Sequence, residues 1–217
     1  MKLRRILGRS TAVLLTGVLG AGIAAAPAQA AESKSGERSL AAVLTADGNR
    51  FDHNGYDYDI VTEAVLAVLA AKPKSAVKVL TDGSVPLTAF IPNDRAFKVL
   101  VKDLTHRWPK TEEKAFKSLV AAVGVDAVEK VLLYHVVPGA TIQAKDAVKA
   151  DGAKLSTALA GAKITVDVKG KRHPRIVLRD LDRNDRDPRV NSRALDINKG
   201  NKQIAHGITL VLRPLDL

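Results

Sequence analysis

The chain has no cysteine, and aromatic residues make up only 4% of its 217 positions. Without thiols there can be no disulfide, no thiolate zinc site, no cysteine nucleophile and no lipoprotein anchor. Stability must come from packing alone. Also missing are a Gly-x-Ser-x-Gly elbow, a Walker or Gly-x-Gly-x-x-Gly phosphate loop and a His-Glu-x-x-His pair. The histidines His53, His106, His135, His173 and His206 are scattered, each in a different local pattern. No catalytic constellation can be assembled from this set, so neither an enzyme nor a cofactor is expected. Beyond residue 30 no segment is long and apolar enough to cross a bilayer, and no transmembrane segment is expected.

What the sequence does have begins with an address. Lys2, Arg4, Arg5 and Arg9 precede the apolar run "TAVLLTGVLGAGIAAA", and "AQA" before Ala31 is a small-x-small cleavage site. Residues 1–30 therefore read as a signal peptide cleaved after Ala30, whether by the general or the twin-arginine route. Their removal takes four cations from a formal net charge of +11, leaving +7. Residues 31–38, "AESKSGER", read as a disordered lead-in, and 39–217 suits one domain with a substantial core. The expected product is secreted and soluble.

Along the domain, periodicity changes character. "SLAAVLTA" and "DIVTEAVLAVLAA" read as helices, the second capped by Asp57 or Asp59, and "SAVKVL" adds a short helical piece. "LTAFI" has strand character up to Pro92, after which Asn93 or Asp94 can cap a helix with Phe97, Leu100, Val101 and Leu104 on one face. Thr111 caps another helix, with Glu112 and Glu113 near its positive end, and Gly124 ends it. Asp126 and Glu129 have capping-box spacing for a helix leading into "VLLYHVVPG". After Gly139, "KITVDV", "RIVLR" and "GITLVL" alternate with period two. Helices crowd the first half and strands the second, an α+β organisation.

Three segments carry a resemblance. "LTAFIPNDRAFKVL" (87–100) sets a strand, a proline, a polar cap and an Ala-Phe helix in a row, and "VLLYHVVPGATIQAKDA" (131–147) holds a Tyr-His pair before a Pro-Gly turn. "DINKGNKQIAHGITLVLRPL" (196–215) is a closing hydrophobic run, with Lys202 where glycine is usual and Ala205 between Ile204 and His206. In this order they resemble the fasciclin (FAS1) domain family over about residues 39–217. The resemblance implies a β-sandwich-like wedge with helices packed around it. It also implies a non-catalytic secreted or surface-displayed module that binds cell-surface or matrix proteins or glycans, with self-association left open.

Tyr134 and His135 decide between chemistry and architecture. On an extended segment, neighbouring side chains point to opposite faces, so the two cannot easily act on one substrate atom. They are expected to pack inward and hydrogen-bond to backbone. The resemblance implies that Tyr134, His135, Pro92, Asn93 and Asp94 form the structural and adhesion motif, and His135 is expected to order the loop around Pro92 and Asn93 through its ring nitrogens.

Two acidic loops and one basic hairpin remain. In "DLDRNDRDP", Asp180, Asp182 and Asn184 have the first spacings of a calcium loop. Asp185 and Asn191 stand where glycine and a bidentate glutamate are needed, and Arg183, Arg186 and Arg189 compete as cations. The plainer expectation is a hairpin loop laced with ion pairs and no metal. "DHNGYDYD" (52–59) reads as a turn followed by caps, with weak calcium binding as the alternative. Residues 163–193 carry ten Lys/Arg against five Asp, and Lys169, Lys171, Arg172 and Arg175 crowd a turn. That patch would attract an acidic wall polymer or anionic glycan. It contains no aromatic residue, which argues against nucleic acid.

Overall fold

Six consecutive buried residues, Leu87–Pro92, form the central strand β1. It lies within a computed structural model that describes residues 35–46, 48 and 51–215. The expected signal peptide over 1–30 and the first part of the lead-in, 31–34, lie outside the described residues. From residue 35 the lead-in is held rather than loose. The Gly36 N–H donates to the Gly200 carbonyl (2.7 Å) and the Lys202 N–H to the Gly36 carbonyl (2.9 Å).

Before β1 come α1 (Leu40–Leu44), α2 (Asp59–Ala71) and a 3-10 turn (Ala76–Thr81). After it come α3 (Asp94–Thr105), α4 (Glu112–Tyr134), β2 (Val136–Pro138) and the short α5 (Ala144–Ala147). The remaining strands are β3 (Lys154–Ser156), β4 (Lys163–Lys169), β5 (Arg175–Arg179) and β6 (Gln203–Ile208). They make two three-stranded sheets, β2-β1-β6 and β3-β4-β5. β1 runs antiparallel to β2 and parallel to β6, whereas β3-β4-β5 is antiparallel throughout. Arg189 and Val190 bridge the sheets, pairing with Val177 of β5 and Ile208 of β6. The architecture is α+β, with helices early and strands late.

Each side of β1 builds its own core. One joins Leu87, Ala89 and Ile91 to α2, α3 and α4 through residues such as Val68, Phe97 and Leu132. The other joins Phe90 and Tyr134 to Ile164, Val166 and Leu178 between the sheets. A strand covered on both faces needs an apolar run rather than alternation, which is why "LTAFIP" reads as one continuous stretch.

Local chemistry explains most boundaries and corrects several expectations. Gly124 (φ 76°, ψ 164°) breaks α4 into two helical stretches, as its freedom at positive φ permits. Asp126 and Glu129 form no capping box; both hold Lys72 Nζ at the end of α2. The N-cap of α2 is Tyr58, with Asp59 already helical, and neither Asp57 nor Asp59 caps it. The last strand lies earlier than "GITLVL" suggests. Pairing with β1 selects Gln203–Ile208, buried at every position, and the apolar Val211 and Leu212 pack in without joining a strand. Gly207 lets Tyr58 approach β6 closely, since a Cβ there would lie 2.5 Å from Tyr58 Oη. Among the described residues no helix is long and apolar enough to cross a membrane.

Candidate functional site

Tyr134 is the last residue of α4 and His135 is its C-cap, so the pair ends a helix instead of lying on an extended strand. Both are buried all the same. The Tyr134 hydroxyl enters the core between the sheets and donates to the Lys163 carbonyl at the start of β4 (3.0 Å). Burial, reinforced by Asp180, pushes this phenol above its ordinary value. His135 turns elsewhere. Its Nδ1 lies 2.7 Å from the Val131 carbonyl, and its Nε2 accepts the Leu212 N–H at 3.0 Å.

A carbonyl only accepts, so Nδ1 carries the proton and the ring is neutral. Burial pushes its pKa down to about 4. The ring nitrogens therefore do not order Pro92 and Asn93, as the sequence suggests. They tie α4 to the segment after β6, while the His135 carbonyl accepts the Phe90 N–H of β1 (2.9 Å).

At the end of β1, Asn93 Oδ1 accepts the Ala96 N–H (3.0 Å) and caps α3. Pro92 pairs in register with Ile208 of β6. Asp94 serves a different helix from the one it begins. Its Oδ1 accepts the Ile60 N–H (2.9 Å), supplying the cap that Tyr58 does not give α2. Burial and then the neighbouring Asp57 carboxyl push Asp94 up to about 8. Tyr58 is likewise raised, by burial first and then by Asp57 and Asp94. Glu112, the first residue of α4, is fully buried and receives Lys98 Nζ at 2.8 Å. The sequence marks Glu112 only as a helix-dipole residue, and its burial carries no local signal.

The third family-like segment is also turned inward. Gln203 Oε1 accepts the Leu40 N–H (2.8 Å), while its Nε2 donates to the Val79 and Asp82 carbonyls (2.8 and 2.7 Å). His206 Nε2 donates to the Ile142 carbonyl (2.9 Å), and its Nδ1 accepts from the Asp196 N–H (3.3 Å).

The 180–188 loop is laced with ion pairs, but its arginine comes from the C-terminal segment. Arg213 Nη2 meets Asp103 at 2.6 Å, and Nη1 reaches Asp182 (3.4 Å) and Asp185. Asp180 accepts the Arg213 and Asp182 N–H groups (2.8 and 3.1 Å) and is pushed up to about 6, mainly by burial. Of the calcium-like spacing Asp180, Asp182 and Asn184, a guanidinium thus stands against Asp182, and against Asp185 beside it, and no residue of that spacing marks Arg213 as the partner.

The basic turn joins β4 to β5. Lys169 and Arg179 both pair with Asp167 on β4, Lys169 at 2.8 Å. Lys171, Arg172 and Arg175 are exposed, and no ion pair involving them occurs among the described residues. Tyr134 bonds to Lys163 at the start of β4, and no hydrogen bond among the described residues joins Tyr134, His135 or Asn93 to Lys169, Lys171, Arg172 or Arg175.

Residues 62–214 match the fasciclin domain family. No curated protein is significantly similar in sequence. Among solved structures, the chain is similar to a FAS1 domain pair from the insect cell adhesion molecule fasciclin I, at 18% identity and a TM-score of 0.49. The similarity covers 70% of this chain and 46% of that one, so the chain spans less than half of the structure it matches. With the family pattern covering most of its length, this chain belongs to the fasciclin domain family.

Proposed function

We propose that the chain is an exported, non-catalytic adhesion module that binds cell-surface or matrix proteins, or glycans, through its outer surface. In this reading residues 1–30 are the export signal, cleaved after Ala30, and 39–217 are the binding domain. Membership of the fasciclin family supports it. The observation that carries it is the inward use of the Tyr-His pair, whose polar atoms bond to the backbone at Lys163, Val131 and Leu212. Side chains saturated in this way build a fold, and recognition falls to residues outside it. Self-association through the same surface is a further outcome of binding tests.

A second reading rests on a separate observation. Lys171, Arg172 and Arg175, beside Lys169, present positive charge on an exposed turn. Such a turn suits an acidic wall polymer or anionic glycan better than nucleic acid, because it lacks an aromatic platform. Salt separates the two readings. Polyanion binding weakens steeply as salt rises, through counterion release, whereas apolar burial is not screened.

The test is co-sedimentation of the mature protein with cell walls of the producing organism at low and high salt. Retention at both supports adhesion through a packed face. Loss at high salt, abolished also by Lys171→Glu, Arg172→Glu and Arg175→Glu together, moves the function to the basic turn. No retention at either salt rejects the cell wall as the surface bound.

A further inference from the structure

Three helices begin at one point. Asp59, Asp94 and Glu112 are the first residues of α2, α3 and α4, and each is buried. One carboxylate oxygen from each lies within 4.8 Å of the others. Asp57 and Asp52 extend the cluster, since they meet Asp59 within the same distance. We propose that Asp57, Asp59, Asp94 and Glu112 bind one hard divalent cation, with calcium the best-fitting ion, and that it staples the N-termini of the three helices.

Proximity of acidic groups alone would not carry this, but the lone pairs do. Asp94 and Glu112 are each 0% exposed. Asp94 Oδ1 is taken by the Ile60 N–H and Glu112 Oε1 by Lys98 Nζ. Their second oxygens, Asp94 Oδ2 and Glu112 Oε2, are buried with no hydrogen-bond partner, as is Asp57 Oδ1. A buried carboxylate oxygen without a donor is costly, and Asp94 and Glu112, which share one cluster with Asp59, each bury one.

Among the described residues, N–H groups at these helix starts are already engaged. Helix N-termini favour anions, but the Ile60, Ala96 and Lys114 N–H groups bond to Asp94 Oδ1, Asn93 Oδ1 and Thr111 Oγ1. Lys98 is the cation paired with Glu112, and it meets Oε1 rather than the unpartnered Oε2. A divalent ion would serve the unpartnered oxygens of Asp94 and Glu112 together.

The donor set also selects the ion. It is all oxygen, without imidazole or thiolate, which suits hard cations. Calcium binds oxygen at about 2.3–2.6 Å, so oxygens that all lie within 4.8 Å of one another can share one such ion. Ligands on three helix ends and a loop form an irregular cage, which calcium tolerates better than magnesium.

The test uses mature protein freed of metal by chelation and titrated calorimetrically with Ca²⁺ near neutral pH, with Mg²⁺ as comparison. The expected result is one Ca²⁺ per chain, bound more tightly than Mg²⁺. The melting temperature should rise about 5–10 °C when Ca²⁺ is in hundredfold excess over its Kd. Asp57→Asn lies on the half-buried loop and leaves the helix caps intact; it should weaken binding at least tenfold. Asp167→Asn on the hairpin should leave the affinity unchanged. The proposal is overturned if folded wild-type protein gives neither heat nor a melting shift at millimolar Ca²⁺ or Mg²⁺, which would mean that protons satisfy the cluster. It is equally overturned if Ca²⁺ binds but neither Asp57→Asn nor Asp94→Asn weakens it, which would put the ion elsewhere.

Discussion

His135 and Leu212 stand 77 positions apart, and Nε2 of the first accepts the backbone N–H of the second at 3.0 Å. With Nδ1 committed to the Val131 carbonyl, that acceptor exists only while the ring is neutral. One imidazole thereby fastens the end of α4 to the chain leaving β6, the strand paired with β1.

Removing the ring should be costly. His135→Ala leaves the buried Leu212 N–H without an acceptor and opens a cavity, so a loss of about 3 kcal/mol is expected. For a domain of this size that lowers the melting temperature by roughly 6–12 °C, read by calorimetry. An unchanged melting temperature would show that the ring does not support the fold.

The same ring makes the protein sensitive to acid in a defined direction. Its pKa is about 4 in the fold against 6.5 unfolded, so between these values the unfolded chain binds the proton and the folded one does not. The contribution of His135 is complete above 6.5 and is lost as pH falls through that window to about 4. Asp180 works the other way, because its raised pKa of about 6 favours the protonated folded form as pH falls. The His135 effect is therefore isolated by difference. The stability advantage of wild type over His135→Gln, measured by chemical denaturation, should shrink from pH 6.5 to 4. A constant difference would contradict the neutral, buried ring.

Arg213 should matter more than its place near the chain end suggests. Its guanidinium faces Asp103, Asp182 and Asp185, and the Asp182 side chain is only 1% exposed. Arg213→Met should destabilise by about 3 kcal/mol, because it leaves a buried carboxylate uncompensated. Adding Asp182→Asn should recover part of that loss, since it removes the stranded charge. Denaturant midpoints of the two variants test this; equal midpoints would mean that Asp182 and Arg213 are not coupled.

Local chemistry in this chain was legible and long-range partnership was not. Asn93 and Thr111 announce the helices they cap because donor and acceptor lie three residues apart. The fasciclin resemblance was legible for a similar reason: its first two segments are contiguous runs. Asp94 could be seen to sit at a helix start, but its hydrogen bond goes to Ile60, 34 positions away. Arg213 and the 180–185 loop meet across 28 to 33 positions, whereas Arg183, Arg186 and Arg189 lie beside it in sequence. The strand over Gln203–Ile208 was displaced in the sequence reading because burial on all sides removes the alternation that marks a strand. Glu112 was hidden completely, since nothing in "TEEKAF" separates a buried glutamate from its exposed neighbour Glu113.

The measurement closest to the central claim compares binding and stability in one variant. His135→Gln and wild-type mature protein would be sedimented with cell walls at a temperature well below both melting points. If the Tyr-His pair builds the fold and the outer surface does the binding, the variant melts earlier yet is retained as fully as wild type. Loss of retention by a variant that is still folded at that temperature would contradict this and place the pair in the contact itself.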